Sequence, residues 1–188
     1  YMQTTPLQLA QATALMATRG KWIRPHLLKT AEGQTPQQLM ADGAMDGVMT
    51  PPDIVLRDDK FWDYGRQGME AVMHGPRGTA AKVGATSVYR IAGKSGTAQV
   101  VAIKQGEKYD RSKVRERHRD HALFVAFAPA EAPKIAVAVM VENGESGSGV
   151  AAPVVKQVMD AWLLGPDGQL KPEYRPPVPV TEEASVQR

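Results

Sequence analysis

Between Leu7 and Ala17, the apolar residues Leu7, Ala10, Ala14, Leu15 and Ala17 recur at the spacing of one helix face. Thr5 stands where a cap belongs, Pro6 suits the first helical position, Gln8 can close a capping box, and Gly20 ends the run. A second helix is predicted over about 59–74, with Trp62, Met69, Val72 and Met73 turned inward, stopping at Gly75-Pro76 and Gly78. A third is predicted over 150–164 after a Gly/Ser-rich turn, with Val154, Val155, Val158, Ala161 and Trp162 on its apolar face.

Three stretches read as strands. Residues 90–102 have strand character around a polar centre, and "HALFVAFAPA" and "KIAVAVMVEN" are near-continuous apolar runs joined by the turn-rich "PAEAP". The last two predict a pair of buried antiparallel strands. Between these elements, "WIRPHLLKT" reads as a short extended segment and 31–52 as a surface excursion. Residues 104–120 read as a charged loop with a short helical turn. From Gly165 the chain is Pro-rich and polar, which predicts an extended or disordered tail at 165–188 behind a folded portion at 1–164. Helices, then three strands, then a helix predict an α+β domain with an antiparallel sheet flanked by helices.

Composition narrows this picture only a little. A chain of 188 residues with 43% hydrophobic and 23% charged residues is long enough for one domain with a real core. No apolar run approaches the roughly 18 residues that span a bilayer. The net charge of +3 falls short of a nucleic-acid footprint, which needs a concentrated basic face, so no nucleic-acid partner is expected. The absence of cysteine excludes structural disulfides and thiolate metal sites. Tyr1-Met2-Gln3 is neither an initiator start nor a signal peptide, and the expectation is a fragment of a longer protein.

The chemistry concentrates in "RIAGKSGTAQVVA", where Lys94, Ser95, Gly96 and Thr97 interrupt an apolar stretch. A phosphate-binding loop of the form G-x-x-x-x-G-K-[ST] fails on two counts. Its first glycine is replaced by Val88, and the residues after Thr97 continue as a strand rather than opening a helix. An ordinary strand with one polar interruption is the plainer reading. Yet glycine weakens a strand interior and marks close approach of a ligand or another backbone. A site that transfers an acyl group from a peptide with a free carboxylate needs a cation, hydroxyls for the carboxylate, an uncluttered strand edge and a backbone N–H for the oxyanion. Lys94, Ser95, Gly96 and Thr97 supply these in order.

K-[ST]-G-T followed by Ala-Gln resembles the third signature of the penicillin-recognising serine acyltransferases. "TTPLQLAQATALMATRGKWIRPHLL", "GMEAVMHGPRGTA", "FVAFAP", "IAVAVMVEN" and the helix after them resemble, in order, segments of the class B penicillin-binding transpeptidases. "RDHALFVAFAP" and the long charged insert are closest to the elongation-specific branch of that family. The resemblance implies the penicillin-binding/serine β-lactamase-like fold, here its C-terminal portion. It implies a peptidoglycan D,D-transpeptidase that uses a serine acyl-enzyme and is inhibited by β-lactams. Lys94 would raise the local potential, Ser95 and Thr97 would hold the terminal carboxylate of a D-Ala-D-Ala stem peptide, and Gly96 would keep the edge open. The Thr97 N–H would be one oxyanion donor, and Ala98 would line the substrate strand more weakly.

The resemblance also exposes what the chain lacks. No serine is followed three residues later by lysine, and S-x-N is absent, since the only asparagine, Asn143, has Val141 two residues before it. In this family both motifs lie upstream of the first helix, so the nucleophile, the first two strands and a membrane anchor are expected in an upstream half of the same protein. The implied location is the periplasmic face of the inner membrane. The implied partners are stem peptides, β-lactams and elongation-complex membrane proteins such as a glycosyltransferase, and no cofactor is implied. A β-lactamase, a D,D-carboxypeptidase, a β-lactam-sensing receptor domain and a non-catalytic binding module remain the alternatives.

Other candidates carry less. His118 and His121 form H-x-x-H without a third ligand, so no metal site is expected. Lys104, Lys108, Arg111, Lys113, Arg115, Arg117 and Arg119 are interleaved with acids and read as a solvated loop, or more sharply as a rim for substrate or a partner. Trp62 and Trp162 are expected in the core, and His26 and His74 in structural roles.

Overall fold

The structure, a computed structural model, describes residues 3–25, 51–101 and 114–175. His26 and most of the 31–52 and 104–120 segments therefore lie outside the described residues. Three antiparallel strands form one sheet in the order β1-β2-β3: β1 Ala92–Ala98, β2 His121–Ala128 and β3 Ile135–Val141. The central β2 is the most buried of the three, as a strand paired on both edges and covered on both faces must be. The flanking β3 is only half-buried, short of the full burial its apolar run predicts, because one of its edges is unpaired among the described residues.

Helices cover both faces. Helix α1, Pro6–Ala17, starts as its sequence predicts: the Thr5 hydroxyl accepts the Gln8 N–H at 3.2 Å, and the Gln8 side chain accepts the Thr5 N–H at 2.8 Å. Helix α2, Lys60–His74, buries Trp62 and Met73, with Met69 and Val72 half-buried beneath it. Ala92 and Phe127 pack with Met16, Ala17 and Met69 on this side of the sheet. A short helix, α3 (Ala81–Gly84), follows α2. On the opposite face Phe124, Ala122 and Ala126 pack under Val155, Met159 and Leu163 of α4, Ala152–Leu163.

Two expectations are corrected in this last part. The face of α4 that meets the sheet carries Ala152, Val155, Met159 and Leu163, whereas Val154, Val158 and Trp162 are 39%, 43% and 54% exposed and Ala161 is exposed. The helix has two apolar stripes, and the one with Ala152 at its start lies against the sheet. The segment expected as a tail also folds further than predicted. Leu164 pairs with Leu170, Lys171 Nζ donates to the Trp162 carbonyl at 2.7 Å, and Leu170 and Tyr174 pack against the core. Residues 176–188 lie outside the described residues.

Gly20 closes the α1 corner. Its N–H donates to the Leu15 carbonyl at 2.8 Å, its φ is +91°, and a Cβ there would lie 2.1 Å from the Ile54 carbonyl oxygen. Gly68, on the exposed face of α2, would place a Cβ in open space. Gly20→Ala is therefore expected to lower stability by at least about 1–3 kcal/mol, and Gly68→Ala to raise it by up to about 1 kcal/mol. Thermal melts of the two variants, made in the full-length protein, check both signs.

Candidate active site

Strand β1 carries the motif along the edge of the sheet, because its outer side has no strand partner among the described residues. The register sets Lys94 opposite Val125, Ser95 opposite Phe124, Gly96 opposite Leu123 and Thr97 opposite Ala122. Strand alternation puts Lys94, Gly96 and Ala98 on the α1/α2 side with Ala92, and Ser95 and Thr97 on the α4 side. The edge is thus rimmed by a cation on one side and two hydroxyls on the other. A strand running on from Lys94 to Ala98 also removes the phosphate-loop geometry, which needs a helix at that point.

Lys94 is exposed, and its Nζ donates to the Ser95 carbonyl at 2.7 Å. No described carboxylate lies within ion-pair distance of it. Thr97 is exposed, Ser95 is half-buried, and Ala98 is half-buried opposite His121. A Cβ at Gly96 would meet only Leu123 Cβ at 3.4 Å, an ordinary contact, so the protein's own packing does not require glycine there. One neighbour went unassigned in the sequence: the Thr79 hydroxyl, on the loop after α2, lies 3.5 Å from the Ser95 hydroxyl. The G-T-A run that contains Thr79 was the available signal.

The three residues that lead into β1 are each tied to a helix. Tyr89 donates its hydroxyl to Asp160 of α4 at 2.7 Å, and burial, then Asp160, push its ionisation far above the usual tyrosine range. Arg90 reaches the buried Glu70 at 3.1 Å, where Arg66 also pairs. The Ile91 N–H donates to His74 Nε2 at 2.9 Å. These partners, Glu70, His74 and Asp160, read as ordinary polar helix positions in the sequence.

The remaining candidates are structural or fall outside. His121 Nδ1 accepts the Asn143 N–H at 3.0 Å, which ties β2 to the turn after β3, and no cluster of metal-ligating side chains occurs among the described residues. Trp62 is buried as expected, whereas Trp162 is on the surface. Of the basic run, Arg115 and Arg117 are exposed beside a short 3-10 turn, Glu116–His118. Lys104, Lys108, Arg111 and Lys113 lie outside the described residues.

Residues 2–160 match the family described as the penicillin-binding protein transpeptidase domain. The chain is 39% identical over 163 residues to the peptidoglycan D,D-transpeptidase MrdA of Haemophilus influenzae, covering 87% of this chain and 24% of that protein. It is 37% identical over 186 residues to MrdA of Escherichia coli K12, covering 97% of this chain and 28% of that protein. It therefore spans about a quarter of these relatives' lengths. The crystal structure of Pseudomonas aeruginosa PBP2 in complex with WCK 5153 superposes with a TM-score of 0.76 at 61% identity, over 94% of this chain and 34% of that one. A Helicobacter pylori PBP2 in complex with MreC superposes at 0.62 with 31% identity, over 86% of this chain and 25% of that one.

His74 generates a pH dependence. Burial, reinforced by Arg90, holds its pKa below the ordinary 6.5, so the neutral ring that accepts the Ile91 N–H is the folded form. The unfolded chain binds this proton more readily, so the contribution is complete above pH 6.5 and is lost as pH falls through the lowered folded value. The melting temperature of the full-length protein is expected to fall on acidification from about pH 7.5 to about pH 5. The part of that fall due to His74 is expected to vanish in His74→Leu, as parallel melts would show.

Proposed function

The chain belongs to the penicillin-binding protein transpeptidase domain family, and on that premise we propose that it forms the K-S-G-T wall of a peptidoglycan D,D-transpeptidase of the PBP2 type. The observation that carries this reading is the open β1 edge, with Lys94 on one side and the Ser95 and Thr97 hydroxyls on the other. The chain contains neither S-x-x-K nor S-x-N. The nucleophilic serine therefore comes from sequence beyond these residues, in the upstream half of the same domain.

In the proposed reaction the serine oxygen attacks the carbonyl of a D-Ala-D-Ala bond and forms an ester. The amide C–N bond breaks, and the terminal D-Ala leaves as an amine that carries the serine proton. An amine of a neighbouring stem peptide then attacks the ester, releases the serine and leaves a new amide cross-link. A β-lactam enters as the donor peptide does, and its ring amide opens to give a lasting acyl-enzyme. Ser95 and Thr97 hold the donor's carboxylate, as paired hydroxyls beside a cation can. Lys94 raises the local potential, Gly96 and Ala98 leave room for the substrate strand, and the Thr97 N–H faces the developing oxyanion.

The backbone phase of β1 supports the last role. The Ser95 carbonyl takes Lys94 Nζ, as a group on the free edge can, and Gly96 lies opposite Leu123 in the ladder. If Gly96 directs its N–H and carbonyl to β2, antiparallel alternation turns the Thr97 N–H outward.

The half-buried β3 edge and the exposed row of Val154, Val158 and Trp162 on α4, with Val150 just before it, offer surface for the upstream half. No helix among the described residues is long and apolar enough to cross a membrane. The proposed location, the periplasmic face of the inner membrane, rests on an upstream anchor. Partners of the whole protein are proposed to include an MreC-like scaffold, after the Helicobacter pylori complex, and a glycosyltransferase.

Lys94→Ala in the full-length protein is expected to slow acylation by a fluorescent penicillin by at least about 100-fold, with melting temperature nearly unchanged. A large loss of stability instead would mark a structural lysine. Residues 1–188 expressed alone are expected to melt without a cooperative transition, because the unpaired edge and the exposed row lack their cover. A sharp calorimetric peak would contradict that arrangement.

A further inference from the structure

The link from β3 to α4 passes behind the motif strand. After Ser146 the backbone makes a π-helical turn, Gly147–Ala151, before α4 begins, and Ser146 Oγ accepts the Gly149 N–H at 3.0 Å. Gly147 is buried against the sheet from the α4 side. A Cβ at this position would lie 2.4 Å from the Leu123 carbonyl oxygen, 2.7 Å from the Gly96 carbonyl oxygen and 3.1 Å from the Gly96 nitrogen. All three are backbone atoms of one rung, since Gly96 and Leu123 are partners in the ladder. No rotamer change can relieve such a contact, so the rung or the turn must shift.

Other glycines are as tightly placed. Gly20, Gly75, Gly78 and Gly84 would each drive a Cβ into backbone, but at Ile54, Ala71, Val72 or Met73, away from the motif. Gly147 differs in that the backbone it touches is that of the motif itself. Gly96 tolerates a methyl on its own side yet has another glycine pressed against its backbone from behind.

We propose that Gly147 is a positioning residue whose missing side chain lets the turn seat directly on the Gly96–Leu123 rung and so fixes the Gly96–Thr97 peptide. The Gly96 carbonyl and the Thr97 N–H belong to one planar unit. A shift of that oxygen therefore tilts the N–H that the proposed acyl transfer aims at the oxyanion, and the inference rests on that reading. The turn holds the plane from behind while the substrate edge stays open in front. Ser146 contributes by capping the turn through the Gly149 N–H.

The test uses the full-length protein and the rate of labelling by a fluorescent penicillin, resolved into the limiting acylation rate constant and the half-saturating concentration, alongside melting temperature. Gly147→Ala is expected to lower the limiting rate constant at least about tenfold, less than the roughly 100–1,000-fold of deleting an oxyanion donor. A merely structural glycine would instead lower the melting temperature and the labelled fraction, with the rate constant of the folded molecules unchanged. That result in a folded Gly147→Ala overturns the proposal. Where Gly147→Ala does not fold, the exposed Ser146 decides. Ser146→Ala is expected to slow acylation severalfold and Ser146→Thr to restore it, and equal rates in both overturn the proposal. Absence of labelling in the unsubstituted protein would overturn the acyl-transfer reading together with this one, whereas normal labelling with an unaffected Gly147→Ala would overturn this one alone.

Discussion

The geometry of the motif depends on how the chain is held just before it. Residues 89–91 make a hydroxyl–carboxylate bond to Asp160, an ion pair to Glu70 and a backbone bond to His74 Nε2, so the start of β1 is tied to both α2 and α4. An edge strand with one bonded side can slide or fray, and a strand that must leave its other side open cannot gain a second neighbour to stop that. Anchoring the lead-in resolves the conflict. It fixes the register of Lys94 to Thr97 without occupying the side on which a substrate would lie.

These anchors are polar, and all three partner side chains, Glu70, His74 and Asp160, are buried or half-buried. Glu70 is among the few buried charged residues described, and two arginines compensate it. Pairs of this kind add little net stability, because desolvation offsets most of the attraction, but they fix which residues meet. That specificity suits the task here. A purely apolar lead-in could pack equally well in more than one register, with the motif displaced by a residue and every side chain turned to the wrong face.

Much of the fold was legible in the sequence because local and tertiary signals agree. The Thr5–Gln8 capping box, the Gly20 stop, the inward residues of α2 and the three-strand antiparallel sheet all follow from spacing and turn chemistry. Helix α4 shows where spacing alone fails. Val154, Val158 and Trp162 make one apolar stripe and Val155, Met159 and Leu163 another, and only the packed sheet selects between them. The Pro-rich segment after Gly165 looked unable to fold, yet Leu170 and Tyr174 find the core because α4 ends beside it. At the proposed site, the candidates Lys94 to Thr97 come from residue types alone. Glu70, His74, Asp160, Thr79 and Gly147 do not, because each matters through a neighbour distant in sequence.

The central claim is that the β1 edge receives the donor: its carboxylate at the Ser95 and Thr97 hydroxyls, its acyl oxygen at the Thr97 N–H. A crystal structure of the full-length protein acylated by a β-lactam measures this directly. The account expects the carboxylate within hydrogen-bond distance of both hydroxyls, the acyl oxygen on the Thr97 N–H and the ligand backbone alongside Gly96. An acyl group bound with its carboxylate away from Ser95 and Thr97, or its carbonyl oxygen turned from β1, would contradict it.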